Sequence, residues 1–302
     1  MLKQFAQKIE DFKRLIGDSR SASFRHAGQH EGASVRFLLA VSGGMDSMCM
    51  LDLFSQVVPV EEFAVAHCNF SLRGAESDGD QELVESRARE LGVQVFVKRF
   101  ETEAFAREKG VSIEMAAREL RYDFFERLRQ QLGAATIVVA HHRDDNVETL
   151  LLNLVRGSGL KGLCGMQPQN GFIVRPMLNI PRTEIEAFLK EAQQPFRTDS
   201  TNTDTAFKRN KIRHELLPLL RELNPSIDRT LAETITRLNE AHSLLQSAPS
   251  SAPSSPRPLR SDSIAAPALP LRLPLASLQS SPAPQTLIFN FLSPYGFTPS
   301  QC

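Results

Sequence analysis

The chain has 302 residues, 41% hydrophobic and 23% charged, with 35 Lys plus Arg against 35 Asp plus Glu. This is the composition of an ordinary globular protein of one large or two smaller domains, and the zero net charge excludes a uniformly cationic or acidic surface without excluding a local patch. No run of about 18 apolar residues exists to span a membrane. No signal peptide is expected at the N-terminus, and four scattered cysteines (Cys49, Cys68, Cys164, Cys302) fit core thiols in a reducing cytoplasm rather than bridges or a metal clip.

In chain order, residues 1–19 read as an amphipathic helix. Residues 35–41 read as a buried strand, 46–57 as a helix and 62–68 as a second strand. A charged helix over 76–92 ends at Gly92, and a third strand covers 93–100. A long helix follows over 112–133, with Ser112 placed to cap it and Gly133 to stop it. A fourth strand over 135–140 leads to a helix over 144–157. This alternation predicts an α/β fold with a parallel sheet covered on both faces, in which ligands sit at the carboxyl ends of the strands. Residues 181–245 read as helical and locally basic. From 246 to the end there is no Lys or Glu, and 11 of the 18 prolines lie there, so 246–285 reads as a Pro/Ser/Ala-rich linker. Residues 286–302 turn apolar, like the start of a further element cut short.

The loop Ser42-Gly43-Gly44-Met45-Asp46-Ser47 lies between strand and helix. Glycines let successive backbone N–H groups approach an oxyanion, and the helix N-terminus adds its positive dipole. No G-x-x-x-x-G-K-[ST] occurs anywhere, so this loop is not one that holds β- and γ-phosphates for γ-transfer. Asp46 beside a phosphate makes sense if Mg²⁺ lies between them. In AHHRDDNVET (140–149), Asp145 and Glu148 share a helix face; a metal site and a capped, solvated helix start are the other readings of this stretch. On the long helix, Glu114, Arg118, Arg121 and Phe125 fall at spacings of four, three and four beside an expected apolar face at Met115, Leu120, Phe124 and Leu128. Guanidinium groups suit phosphate or carboxylate; the plain alternative is a Glu114–Arg118 surface pair. The G-x-G-x-x-G in Arg156–Gly162 follows a helix, which rules out a dinucleotide fingerprint and leaves a flexible loop with two cations. Lys208, Arg209, Lys211, Arg213 and His214 form a basic cluster that reads as a solvated face or a contact for a phosphate backbone.

The S-G-G-x-D-S pattern resembles the signature of the PP-loop family of ATP pyrophosphatases, which cleave ATP between the α- and β-phosphates. The succession of H-C-N-F-S-L-R-G (67–74), E-S-D (76–78), E-M-A-A-R-E-L-R-Y (114–122), A-H-H-R-D-D-N-V-E-T (140–149), R-G-S-G-L-K-G-L (156–163), R-P (175–176) and D-S-T-N with R-N-K-I-R-H (199–214) is similar to the tRNA(Ile)-lysidine synthases over roughly 35–230. The resemblance implies a Rossmann-like PP-loop domain over 35–180, preceded by a helical extension (1–34) and followed by a helical subdomain (181–245). It implies ATP-dependent ligation of L-lysine to C2 of the wobble cytidine of CAU-anticodon tRNA(Ile), through an adenylated intermediate. It implies that Ser42, Gly43, Gly44, Met45, Asp46, Ser47 and His67 bind ATP, and that Asp46 holds Mg²⁺. Arg118 or Arg121 would balance the α-phosphate, Asp145 and Glu148 would receive the ammonium groups of lysine, and His141 would orient substrate or move a proton. Arg156, Lys161, Lys208, Arg209 and Arg213 would contact tRNA. The expected partners are this tRNA and lysine, with a homodimer as a possible assembly and no membrane. Phe70 stands where many members carry a second histidine, and longer members have further C-terminal domains. Among competing readings, cluster-dependent tRNA thiolases need paired cysteines and amidotransferase-type synthetases need a glutaminase segment, and neither is visible. A non-catalytic ATP-binding module would keep the glycine loop without needing Asp145, Glu148 and the arginines.

Overall fold

The computed structural model describes residues 1–23, 35–197 and 208–247, with four further positions (284, 288, 291 and 292) near the C-terminal end. The Asp199–Asn202 motif, nearly all of the expected linker and the terminal apolar element lie outside the described residues. The chain divides into two units, Met1–His242 and Ser243–Cys302.

The first unit is built on six strands: β1 (Phe37–Ala40), β2 (Phe63–Asn69), β3 (Val95–Arg99), β4 (Thr136–Val138), β5 (Gln169–Asn170) and β6 (Ile173–Val174). Their order is β3-β2-β1-β4-β6-β5. All pairs are parallel except β5–β6. The four strands expected from apolar runs are present, as the core of the parallel sheet. The β5–β6 hairpin was not foreseen, since two residues per strand leave no periodicity to read.

Alternation along β1 sends its side chains to opposite faces of the sheet. Phe37 and Leu39 join a core with helices α1 (Leu2–Ser23), α2 (Met45–Val57) and α8 (Arg182–Glu191). Leu38 joins a second core with Phe125 and Leu128 of α5 (Ile113–Leu132). Helix α1, read from sequence as part of an extension, places Phe5, Ile9 and Phe12 inside the first core. A third cluster joins Val147 and Leu151 of α6 (Arg143–Val155) to Ile212 and Leu217.

Helix α3 (Ala75–Leu91) is followed by Gly92, as expected. Helix α4 (Thr102–Lys109) was not foreseen; at eight residues it carries little periodic signal. In α5 the Ser112 side chain accepts from the Met115 N–H, and Gly133 ends the helix. The apolar face differs from expectation. Met115 is 60% exposed, and the buried stripe runs through Ala117, Phe125 and Leu128, because packing against β1 and β4 fixes the rotation of the helix. The Arg156–Gly162 stretch is not a loose loop. It leads into the short helix α7 (Leu160–Leu163) and is tied back by Asn153 Nδ2 donating to the Gly162 carbonyl at 2.8 Å.

Along the chain the strands fill one side of β1 (β2, β3) and then the other (β4). The loops after β1 and β4 therefore diverge and leave a crevice at the carboxyl edge. Both motifs with clustered polar residues sit there.

Candidate active site

Gly44 caps α2, so Met45, Asp46 and Ser47 form its first turn, where backbone N–H groups lack helical partners. Gly43 holds φ +89°, a conformation that disfavours any side chain. The two serines lock the loop. Ser47 Oγ donates to the Gly44 carbonyl at 2.9 Å, accepts from the Ser42 N–H at 3.1 Å, and lies 3.1 Å from Ser42 Oγ. The result is a preformed concavity of N–H and hydroxyl donors at a helix N-terminus, which fits a phosphate.

His67 lies beneath this loop rather than on its rim. It is 2% exposed, and its Nδ1 donates to the Val41 carbonyl at 2.8 Å. Burial pushes its pKa down, which leaves Nε2 as a bare acceptor, unsuited to touching a phosphate. Its direct service is to the end of β1.

Helix α6 supplies the second wall. His142 is its cap. His142 Nδ1 accepts from the Asp144 N–H at 3.2 Å, and Asp145 Oδ2 accepts from the His142 N–H at 3.0 Å. With Nδ1 accepting, the ring hydrogen sits on Nε2, which lies 3.5 Å from both Asp46 Oδ1 and Asp145 Oδ2. Burial opposes a charged ring at His142, but the carboxylates of Asp46, Asp145 and Asp144 outweigh it and raise its pKa. Asp46 Oδ1 is buried and has no hydrogen-bond partner among the described residues. An orphaned carboxylate oxygen next to a phosphate cradle fits a divalent cation. His141 is the reverse case: burial first, then Arg175 and Arg209, outweigh Asp145 and push it down to about 4, so it is neutral at pH 7.

Glu148 is 1% exposed and is held by two arginines. Arg209 Nε donates to Oε2 at 2.7 Å, and Arg213 donates from Nε to Oε1 at 2.6 Å and from Nη2 to Oε2 at 3.1 Å. Arg209 Nη2 also donates to the Asp145 carbonyl at 3.0 Å. Burial opposes ionisation of Asp145, but the neighbouring His142 ring, Arg209 and the His142 N–H hold its carboxyl below the usual range. Arg209 and Arg213 flank the end of α9 (Lys208–Lys211), where a π turn (Ile212–Leu216) begins. The basic cluster thus splits. Lys208 and Lys211 point outward, while Arg209 and Arg213 turn in, against the expectation that both would meet a polyanion. A buried carboxylate requires that charge balance.

Replacing Glu148 by Ala leaves two guanidinium groups without their counter-charge. The unfolding free energy is expected to fall by about 2–4 kcal/mol, below the full cost of breaking a wholly buried pair because the arginines can turn to water. Urea titration followed by circular dichroism measures it; a change under about 0.5 kcal/mol would mean the cluster is not formed in solution.

Residues 18–220 match the family described as the PP-loop domain. A tRNA(Ile)-lysidine synthase of Porphyromonas gingivalis is 44% identical over 265 residues, covering 87% of this chain and 56% of that one. That of Bacteroides thetaiotaomicron is 42% identical, covering 88% and 59%, and that of Chlorobaculum tepidum 43% identical, covering 68% and 67%. The chain belongs to the PP-loop family, and within it to the tRNA(Ile)-lysidine synthases. It spans little more than half the length of the first two relatives. A solved U34-tRNA thiolase of Methanococcus maripaludis, with its 4Fe–4S cluster, shares the fold at a TM-score of 0.55 and 16% identity, covering 77% of this chain and 80% of that one.

Of the other expected residues, the two arginines of α5 lie over aromatic rings, and two of the cations expected to contact tRNA lie past the end of α6. Arg118 lies 5.1 Å over the Tyr122 ring, and Arg121 lies 5.1 Å over the ring of Phe70. Phe70 thus serves as a platform for an arginine. Arg156 and Lys161 are exposed beyond the far end of α6. Sequence reasoning gave no separate role to two residues of this crevice, His142 and Arg175. Arg175 leaves β6 beside the end of β4. Its Nε is buried without a partner among the described residues, and burial and Arg118 lower its pKa. Its signal in the sequence was the Arg-Pro pair; for His142 it was the adjacent histidine.

Proposed function

We propose that this chain carries the catalytic core of a ligase that joins L-lysine to C2 of the wobble cytidine of CAU-anticodon tRNA(Ile) at the expense of ATP, in the cytoplasm. The observation that carries this reading is the Ser42–Ser47 cradle, with its Asp46, facing His142 and Asp145 across the switch in strand order, in a chain 42–44% identical to synthases of that name. In this reading Ser42, Gly43, Gly44, Met45 and Ser47 hold the pyrophosphate part of ATP. Asp46 holds Mg²⁺, which neutralises phosphate charge when bound. Arg118 or Arg121 balances the α-phosphate where the cytidine oxygen attacks, and free lysine then displaces AMP.

Asp145 and Glu148 are the acceptors for the lysine ammonium groups. They are already balanced by Arg209 and Arg213, so an ammonium group enters by displacing a guanidinium. Arg209, the more exposed of the two at 38% against 25%, is the one that yields. Neutral His141 orients the substrate. Arg156, Lys161 and Lys208, the exposed cations, remain for tRNA phosphates.

Mass analysis of digested tRNA after incubation with ATP, Mg²⁺, lysine and unmodified CAU-anticodon tRNA(Ile) tests the reading. A lysine–cytidine adduct that requires ATP is the expected result. Release of AMP and pyrophosphate with no adduct would keep the nucleotide chemistry and reject lysine or this tRNA as substrate.

A further inference from the structure

The cradle is held from outside by a feature that neither motif contains. Asp80, in the second turn of α3, is 8% exposed. Its Oδ2 accepts from Arg73 Nη2 at 2.8 Å, and its Oδ1 from Arg197 Nε at 2.9 Å. The same Arg197 runs alongside the loop: its N–H donates to the Gly43 carbonyl at 3.1 Å, and it forms an isolated parallel bridge with Gly44. From the other side Gly43 rests on Asp80, where an added Cβ would come within 3.1 Å of the Asp80 carbonyl oxygen and 3.3 Å of its Cβ. Gly43 and Gly44 are therefore gripped between the backbone of Arg197 and the start of α3.

One residue makes this grip possible. Gly79 lies inside α3, where glycine is otherwise unfavourable. A Cβ there would sit 2.9 Å from Arg197 Cζ and 3.0 Å from its Nη1. The guanidinium lies flat against the bare helix backbone, and nothing larger than hydrogen fits beneath it.

We propose that Asp80 and Arg197 are positioning residues that set the Ser42–Ser47 loop in its anion-binding shape, and that Gly79 is the gap that admits Arg197. The ligand concerned is the pyrophosphate moiety, so this inference rests on the functional reading above. An ion pair with one partly exposed member contributes modest stability on its own; the contribution here is to geometry, since small misplacements of a binding loop are costly.

Gly79→Ala in the full chain separates shape from stability. Alanine improves helix propensity, and the displaced group is the end of a flexible side chain. The melting temperature is therefore expected to hold or rise by about 2 °C. Amide hydrogen exchange at Gly43–Asp46 is expected to quicken, with β2 and α6 unchanged. Binding of inorganic pyrophosphate, followed by calorimetry, is expected to weaken by about 10- to 100-fold. Asp80→Asn, which also weakens the pair with Arg73, should show the exchange and binding effects at least as strongly, and the double variant should add nothing to Asp80→Asn alone, because Gly79→Ala acts only through the Arg197–Asp80 contact. Unchanged exchange at Gly43–Asp46 in Gly79→Ala, or additive losses in the double variant, would overturn the inference. Should the unaltered chain bind neither ATP nor pyrophosphate, the functional reading falls, while the exchange comparison still judges the grip on the loop.

Discussion

Replacing Asp46 by Asn is expected to cut ATP-dependent turnover by about 10²- to 10³-fold, the usual scale for removing one preorganised electrostatic group. The melting temperature should stay within about 3 °C, since the loss of a favourable charge at a helix N-terminus costs roughly 0.5 kcal/mol. The argument is geometric. Asp46 lies in the first turn of α2 with Oδ1 buried, 3.5 Å from His142 Nε2 and otherwise without a partner among the described residues. Asparagine keeps the size and loses the charge that a cation between carboxylate and phosphate requires. Steady-state kinetics with ATP varied at saturating lysine and tRNA distinguish the readings. A fall in kcat supports a part in the chemistry. A rise in KM alone, with kcat kept, would return the loop to the role of a nucleotide-binding module.

Phe54→Ala carries the largest expected effect on stability, about 4 kcal/mol. Phe54 is fully buried in α2, and the rings of Phe5, Phe37 and Phe63 stand around it at 5.5, 5.5 and 5.7 Å. These three come from α1, β1 and β2, so one truncation opens a void where three elements meet. Melting is expected to drop by about 10 °C, measured by calorimetry or by circular dichroism. A loss below about 1 kcal/mol would show that α1 is not seated on α2 in solution. The same helix carries the phosphate cradle at its other end, so nucleotide binding should weaken along with the fold.

The sheet was legible because parallel strands buried on both faces are written as near-continuous apolar runs: residues 37–40, 63–68 and 136–138 announce themselves. The cradle was legible because its shape depends on local residues, two glycines and two serines between strand and helix. Helix α5 was bounded correctly by Ser112 and Gly133, yet its buried side was misjudged at Met115, because tertiary packing chooses among several apolar stripes. Between two adjacent histidines, spacing does not tell which one turns inward. The backbone made His142 the cap and sent it to Asp46, while His141 became a neutral neighbour. Arg209 and Arg213 read as phosphate contacts because their partner, Glu148, lies far away in sequence and is buried. Gly79 carried no signal at all: a glycine required by a distant side chain looks like any other.

The order of the strands also governs when the cradle comes into being. β1 is flanked by β2 on one side and by β4 on the other, and Gly43 is gripped by Arg197. A chain emerging from the ribosome holds the whole Ser42–Ser47 sequence early. It lacks one flank of β1 until residue 138 is out and lacks the clasp until residue 197 follows. Contacts so distant in sequence form slowly. If Arg197 sets the loop as proposed, phosphate affinity is complete only once residue 197 is out, and a nascent chain that stops short of Arg197 presents the motif with a weakened hold on its ligand.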